Sequence, residues 1–306
     1  LKKLSPYLDG VNNQTDQFWA TIGGMGLTGV IVEAEFSLIR INNSLMSVNT
    51  KRYENLDDLM DAIIQSDKEN RYTVAWVDSL HPRGRGILTS GNHANTQNIS
   101  PAQQLNLFKY DPKALAQTPK NMPNGILNKL TVKAFNETWY RKAPKSLENQ
   151  IQAITPYFHP LDGVSDWNRI YGSKGFFQYQ FALPDSASFL IQESLEILRS
   201  AGLSSFLAVL KRFGKSNKAP LSFPIQGWTL ALDIPIGSSK LLSTLDNLDE
   251  KIASAGGRIY LAKDARQSSE IFKKTYTKFE EWLEIKKTLD PRGIFCSDLS
   301  NRLGIF

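Results

Sequence analysis

Two glutamines, Gln178 and Gln180, stand one residue apart in an apolar segment whose composition is typical of a β-strand. Side chains alternate between the two faces of a strand, so both amides are expected on one face. Lys211 ends a second predicted strand, and Lys263 directly follows a third. Buried amides and ammonium groups need partners, which a polyhydroxylated ligand carrying a phosphate would supply. The alternative is that the glutamine face is solvated and binds nothing.

A glycine-rich turn is the second feature with possible chemistry. Gly24, Gly26 and Gly29 match the dinucleotide-binding pattern G-x-G-x-x-G. That pattern must open a helix, whereas residues 30–36 predict a strand, and the position about 20 residues further on is Asn49 instead of an acid. We therefore predict a turn between strands. Close backbone approach to a flat cofactor or its phosphates at Gly23-Gly24 stays open.

Metal and thiol chemistry have little support in the sequence. His81, His93 and His159 lack metal-ligand spacing, so no metal site is expected. Cys296 is the single cysteine, which excludes an intramolecular disulfide and predicts a buried or inert thiol.

The composition is that of a folded protein. The 306 residues are 41% hydrophobic and 22% charged, with a mean hydropathy of −0.30. No apolar run approaches the roughly 18–20 residues that span a bilayer. The net charge is +6, which suggests an anionic partner such as phosphate, a membrane face or nucleic acid, or simply a slightly basic enzyme. The basic segment 211–215 with Lys218 is either a solvated face or a phosphate site.

The elements that must position these residues have a recognisable order. Periodicity predicts strands at 176–183, 204–211, 228–234 and 258–262, with helices at 185–200 and 240–255. Strand, helix, strand, strand, helix, strand is the ferredoxin-like βαββαβ arrangement, an antiparallel sheet with helices on one face. The fold class predicted is therefore α+β. Elsewhere in the chain, the same patterns predict a helix at 55–68, strands at 72–77 and 86–90, an irregular excursion at 92–123 and a final helix at 268–289.

Long motifs running in order over the whole chain resemble the decaprenylphosphoryl-ribose oxidase family, within the vanillyl-alcohol-oxidase-like FAD-linked oxidases. They are FWATIGGMGLTGVI (18–31), AWVDS (75–79), MPNGILNKLT (122–131), ETWYRK (137–142), YFHPLD (157–162), DWNRIYGSKGFFQYQF (166–181), APLSFPIQGW (219–228), GGRIYLAKDAR (256–266) and DPRGIFCSDLSNRL (290–303).

The resemblance implies three segments. Residues 1–42 would be the end of an FAD-binding domain, residues 43–256 a substrate-binding domain, and residues 257–306 a return to the FAD-binding domain. Most of the family's N-terminal FAD-binding domain has no counterpart in this sequence.

The resemblance also implies roles for single residues. Lys263 matches the active-site lysine beside the flavin and the sugar, and Tyr260 is its neighbour. Gln180 and Lys211 match substrate-pocket residues, and Trp76 matches a pocket wall. Weaker matches in the same motifs are Gln178 and Trp167, and Gly23 and Gly24 match the turn close to the cofactor.

The chain departs from the family pattern at two places. The pocket tyrosine before the HPLD segment is Phe158 here, with Tyr157 adjacent. After Gly227-Trp228, the usual Asn-x-Cys is Thr229-Leu230-Ala231. Loss of the asparagine removes a polar contact to substrate. Loss of the cysteine is expected to abolish reaction with covalent inhibitors that target it.

The chemistry implied by the resemblance is FAD-dependent oxidation of the 2-hydroxyl of a polyprenyl-phosphate-linked ribose, the first half of an epimerisation toward arabinose for cell-wall synthesis. A partner keto-reductase, no nucleic acid, and a cytoplasmic or peripheral membrane location would follow. Two alternatives remain open: another sugar, polyol or aldonolactone oxidase of the superfamily, or a non-catalytic fragment that binds a lipid phosphate or a partner protein.

Overall fold

One eight-stranded antiparallel sheet organises the protein. The computed structural model describes residues 3–7 and 14–306. The strands are β1 (Leu45–Tyr53), β2 (Tyr72–Val77), β3 (Gly86–His93), β4 (Ala116–Gln117), β5 (Ser146–Ala153), β6 (Val164–Ser165), β7 (Phe176–Pro184), β8 (Ala208–Phe213), β9 (Gly227–Pro235) and β10 (Arg258–Ile259). The large sheet has the order β10-β7-β9-β8-β2-β3-β1-β5, and β4 and β6 form a separate two-stranded pair.

Ten α-helices surround the sheet within the described residues. They are α1 (Gln14–Thr21), α2 (Leu56–Glu69), α3 (Pro101–Gln104), α4 (Lys129–Lys142), α5 (Ile154–Phe158), α6 (Phe189–Ser200), α7 (Leu241–Ser254), α8 (Ser269–Thr275), α9 (Phe279–Leu289) and α10 (Asp298–Leu303). No helix among them is long and apolar enough to cross a membrane.

The predicted βαββαβ unit is confirmed. It consists of β7, α6, β8, β9, α7 and β10. Its strands lie in the sheet in the order fourth, first, third, second, and every neighbouring pair is antiparallel. The remaining strands β2, β3, β1 and β5 extend the same sheet beyond β8. The α+β class expected from the sequence is therefore the observed one.

Strand alternation explains why α2, α6 and α7 cover the same face of the sheet. In β7, Tyr179, Phe181 and Leu183 are buried in the main core, whereas Gln178 and Gln180 point the other way. The same core receives the apolar stripes of α2, α6 and α7. The opposite face, which carries the glutamines, is called the polar face below.

A second core joins the two ends of the described chain. Ala20 and Leu27 pack with Phe272, Trp282 and residues 303–305. The indole Nε1 of Trp282 donates a hydrogen bond to the Ala20 carbonyl at 2.8 Å, and the indole is fully buried. Residues near the N-terminus and the C-terminal helices thus form one packed unit. The domain boundaries at 42 and 256 stay a prediction.

Two predictions near the N-terminus are wrong. The glycine turn follows helix α1 and does not lie between strands. Residues 30–36 form no strand, because no described strand lies beside them to complete a hydrogen-bond ladder, and Val30 and Phe36 are exposed. Periodicity reports the tendency of a segment to be extended but not the presence of a partner.

Other boundaries move for local reasons. β8 begins at Ala208, because the Ser205 hydroxyl donates to the Leu207 carbonyl at 2.8 Å and holds a turn before the strand. The predicted helix at 268–289 is two helices, α8 and α9, broken at Tyr276, whose buried hydroxyl donates to the Ile259 carbonyl. α6 begins at Phe189 after a 3₁₀ turn, since Asp185 pairs with Arg212 instead of capping the helix. Cys296 is exposed, not buried.

Candidate active site

The register of β7, β8 and β9 brings the predicted polar residues onto one surface. Gln178 lies opposite Asp233, and Lys211 lies opposite Thr229. The Gln180 amide Nε2 donates to the Thr229 hydroxyl at 3.0 Å, and that hydroxyl donates to the Phe181 carbonyl at 2.9 Å. The amide of Gln180 is therefore fixed in orientation by a chain of hydrogen bonds that ends on the backbone.

Two lysines on this side stand without an acidic partner. Lys211 lies within β8 and not at its end, and Lys263 ends the 3₁₀ turn Leu261–Lys263 that follows β10. Neither forms an ion pair within 4 Å among the described residues. Burial of the ammonium group, and then the charge of Lys263, lower the pKa of Lys211, whose side chain still reaches solvent. Two neighbouring cations of this kind make a site for an anion.

Tyr260 connects this cationic corner to the glutamine strand. Its backbone N–H donates to the Gln180 carbonyl at 2.9 Å, and its ring stacks on Phe223 at 4.4 Å. A small pocket at the β10 edge of the sheet has Gln178, Gln180, Tyr260 and Lys263 in its lining, next to residues of the helix-covered side such as Leu245 and Arg266. Four residues predicted for the site are therefore brought together.

Asp233 is a functional candidate that the sequence reasoning missed. Its carboxyl group lies on the polar face, and only 4% of the residue is exposed. Burial raises its pKa to about 6, while a polar contact from Gln178, the charge of Lys263 and a weaker polar contact from Tyr171 oppose the shift. An acid in phase with Thr229, in a strand that is otherwise apolar, was the signal available in the sequence.

Aromatic rings form the wall beside Asp233. Tyr171 is buried and stacks on Phe176 with 4.0 Å between ring centroids. Trp167 contacts both of these rings. Phe206 packs against Tyr171, and the Trp76 indole Nε1 donates to the Phe206 carbonyl at 2.9 Å. Trp76 and Trp167 thus lie at this wall, and their contact with a substrate stays a prediction.

Two predicted residues lie differently. Phe158 packs edge-on against Tyr72 and Tyr157, at the start of β2, four residues along the strand from Trp76. Within the basic segment 211–215, Arg212 pairs with Asp185 and lies over the Trp228 ring. Arg212 is therefore used by the helix-covered side, and the substrate role of Phe158 stays a prediction.

The glycine turn lies on the Tyr260 side of the site. A Cβ at Gly24 would come within 2.4 Å of the Ala20 carbonyl, and Gly23 has a positive φ of 70° next to Leu221. Leu221 is two residues before Phe223, which stacks on Tyr260. Backbone without side chains, a planar ring and the free cation Lys263 fit a flat ring that gains negative charge on reduction.

The chain matches one family model and two curated relatives. The D-arabinono-1,4-lactone oxidase family matches residues 177–303. Decaprenylphosphoryl-β-D-ribose oxidase of Mycolicibacterium smegmatis is 37% identical over 302 residues, which is 97% of this chain and 65% of that protein. An uncharacterized protein of Streptomyces coelicolor from the mprA 5′ region is 30% identical, over 96% of this chain and 82% of that protein.

A solved structure shares the fold. Crystalline 6-hydroxy-D-nicotine oxidase from Arthrobacter nicotinovorans matches 96% of this chain and 62% of its own, with a TM-score of 0.50 and 14% identity. Fold and sequence together make this an α+β protein of the same family as the Streptomyces coelicolor protein. It resembles decaprenylphosphoryl-β-D-ribose oxidase over nearly its whole length, as its motifs predicted. It spans about two thirds of the length of the M. smegmatis relative.

Proposed function

We propose that this protein uses FAD to oxidise the 2-hydroxyl of a polyprenyl-phosphate-linked ribose to a ketone. The observation that carries the proposal is the polar face, where a fixed amide at Gln180 lies on the same surface as two unpaired cations, Lys211 and Lys263. Amides and hydroxyls suit a sugar, and the cations suit a phosphodiester. The likeness to decaprenylphosphoryl-β-D-ribose oxidase supports the same substrate class.

Each residue of the face has a definable task in that reaction. Gln180 orients ring hydroxyls, because Thr229 fixes its amide. Lys211 binds the phosphodiester. Lys263 stabilises the alkoxide that develops as the alcohol loses its proton, since an ammonium group without a counterion is directed at new negative charge. Trp76 and the aromatic wall around Tyr171 exclude water from the sugar.

The cofactor would lie against the residues on the Tyr260 side. Gly23, Gly24, Tyr260 and Lys263 are those that would contact its ring system. When bound, a flavin supplies the acceptor for the hydride that leaves the sugar carbon. The tasks of binding and orienting the sugar belong to the protein.

The location of the substrate is part of the same proposal. A polyprenyl chain keeps its sugar at a membrane, so peripheral membrane association is expected. The excursion between β3 and α4 exposes Leu105, Phe108, Tyr110 and Leu115, and residues 105–133 contain five lysines and one aspartate. Exposed apolar side chains among lysines suit an anionic lipid surface.

The keto product requires a second enzyme. A partner keto-reductase that returns hydride from the opposite face of the ring would complete the epimerisation to arabinose, the precursor of a cell-wall polymer.

A lactone oxidase is the second candidate, because the matched family is named for D-arabinono-1,4-lactone oxidase. The two functions are separated by supplying FAD and either decaprenylphosphoryl-ribose or D-arabinono-1,4-lactone, with product mass as the readout. We expect a product two hydrogens lighter from the lipid-linked ribose. Preference for the lactone would favour the second candidate, and no product from either would contradict both.

A further inference from the structure

Two buried polar atoms next to each other on the polar face have no hydrogen-bond partner. They are Oδ2 of Asp233 and the hydroxyl of Tyr171. Each residue is only 4% exposed. After the larger effect of burial, the charge of Asp233 and a polar contact with its carboxyl group raise the pKa of the Tyr171 hydroxyl further, although the two atoms are not within hydrogen-bond geometry of each other. Buried polar atoms without a partner are rare, and each calls for a group that completes it.

The helix-covered face contains a matched pair that is complete. Asp249 is 1% exposed, and Tyr179 donates to its Oδ1 at 2.8 Å. Arg266 donates to its Oδ2 at 2.7 Å. The same fold therefore satisfies a buried aspartate–tyrosine pair where the pair is structural. The incomplete pair lies on the face that is proposed to bind the ligand.

The chemistry of the two atoms restricts what can complete them. A carboxylate oxygen accepts a hydrogen bond, and a phenol hydroxyl donates one. A single hydroxyl group does both in return, donating to Asp233 and accepting from Tyr171. A phosphate oxygen is disfavoured because it would face the Asp233 carboxylate.

We propose that Asp233 and Tyr171 form a subsite for one hydroxyl of the sugar. This rests on the proposed function, in that the ligand is taken to be a sugar phosphate. The subsite also sets the direction of the ligand. Lys211 lies opposite Thr229, and Asp233 is four residues further along β9, about 13 Å at strand rise. The hydroxyl is bound at the Asp233 end and the phosphate at the Lys211 end.

The test is a binding cycle between ligand and protein. β-D-Ribofuranose 1-phosphate and its 2-deoxy and 3-deoxy analogues are titrated by calorimetry into wild-type protein with FAD present. The same titrations use Tyr171→Phe and Asp233→Asn. Tyr179→Phe is the matched control, because it removes a tyrosine hydroxyl from the complete pair.

We expect one deoxy analogue to bind wild-type protein and Tyr179→Phe about 10-fold more weakly than β-D-ribofuranose 1-phosphate. In Tyr171→Phe and Asp233→Asn the same analogue should bind less than about 3-fold more weakly than the parent sugar phosphate. The reason is that the protein partner of the missing hydroxyl is already absent. Undiminished discrimination in both variants would overturn the subsite and leave the proposed function standing. Failure of β-D-ribofuranose 1-phosphate to bind wild-type protein would overturn both.

Discussion

At the scale of single residues, Asp233 and Asp249 are two buried aspartates on opposite sides of the sheet that differ in their hydrogen-bond partners. Burial raises the pKa of both carboxyl groups to about 6. Asp249 has Tyr179 and Arg266 as partners, whereas Oδ2 of Asp233 has none. A satisfied buried group stabilises its surroundings, and an unsatisfied one costs free energy that a ligand can recover.

Removal of the two tyrosine hydroxyls should therefore have unequal effects on stability. Tyr179→Phe leaves Asp249 without its neutral donor and is expected to lower the free energy of unfolding by about 1–2 kcal/mol. Tyr171→Phe removes an atom without a partner and should change it by less than about 0.5 kcal/mol. Urea unfolding of the ligand-free proteins measures both. Equal losses would mean that Tyr171 bonds directly to Asp233 in solution.

Asp233 should also make stability depend on pH. Its folded pKa of about 6 lies above the ordinary 3.8, so its contribution is complete below about pH 4 and falls as the pH rises toward 6. It stays constant above that pH. The loss is roughly 2–3 kcal/mol. Asp233→Asn should be spared this loss, because an amide does not titrate.

The measurement is the difference in unfolding free energy between Asp233→Asn and wild type at pH 4 and at pH 7. It should increase by roughly 2–3 kcal/mol in favour of the variant. Asp249 titrates in both proteins and cancels from the comparison. A difference independent of pH would show that the Asp233 carboxyl keeps its ordinary pKa in the folded protein.

Lys263 should affect turnover far more than stability. It has no ion pair among the described residues, so Lys263→Ala should change the unfolding free energy by less than about 1 kcal/mol. Loss of its charge at the developing alkoxide should lower kcat by about 100-fold or more. Lys215→Ala, an exposed lysine outside the site, is the control and should change neither. Comparable losses of stability and turnover would assign Lys263 a structural role.

At the scale of elements, a charge cluster attaches helix α4 to the sheet. Arg85 binds both Asp78 and Glu137, at 2.9 Å and 2.6 Å. Asp78 is nearly fully buried and also accepts from Asn136 of α4 at 2.7 Å. Phe135 on the same helix packs against Phe206, which contacts Tyr171. The cluster therefore supports the aromatic wall from behind.

Arg85→Met should be strongly destabilising. It leaves the Asp78 carboxylate buried without its cation, and such a change typically lowers the free energy of unfolding by about 3–5 kcal/mol. Arg141→Ala removes the exposed second partner of Glu137 and should cost less than about 1 kcal/mol. Chemical denaturation compares the two variants. A mild effect of Arg85→Met would mean that Asp78 is solvated or protonated.

The elements also show what the sequence could predict. α2, β2, β7, β9 and α7 have clear apolar periodicity and were predicted close to their observed bounds. β8 begins later than predicted, and β10 is shorter than predicted. β5 and α4 were not predicted, because their exposed residues hide any stripe: most side chains of β5 are solvated. The polar face followed from Gln178 and Gln180 by alternation. The proximity of Asp233 and Tyr171 could not be predicted, because it depends on the register of β7 and β9 and on the path of residues 163–175. No local sequence pattern contains that information.

At the scale of the whole molecule, the exposed apolar side chains that are proposed to contact lipid lie on one segment. The exposed apolar residues between β3 and α4 lie on a segment that pairs with the chain leading into the aromatic wall, through β4 and β6. A polyprenyl-linked sugar could thus reach the polar face from a membrane surface. The second core holds the N-terminal and C-terminal segments together on the cofactor side.

Binding to anionic vesicles should depend on this surface. The double variant Phe108→Ser, Leu115→Ser should bind phosphatidylglycerol vesicles about 10-fold more weakly than wild type, because two exposed apolar side chains are lost. Phe189→Ser removes an exposed apolar residue from α6 and should leave binding unchanged. Sedimentation with vesicles at low and high salt measures the effect. Equal binding by all three proteins would exclude the excursion as the contact surface.

The oxidation itself is tested most directly by the visible absorption of the flavin. The protein is reconstituted with FAD, oxygen is removed, and decaprenylphosphoryl-ribose is added. Loss of the oxidised flavin band in wild type, with formation of the ketone, is the predicted result, and Lys263→Ala should show the same change much more slowly. A spectrum that stays unchanged with the lipid-linked ribose, while FAD is bound, would contradict the proposed function.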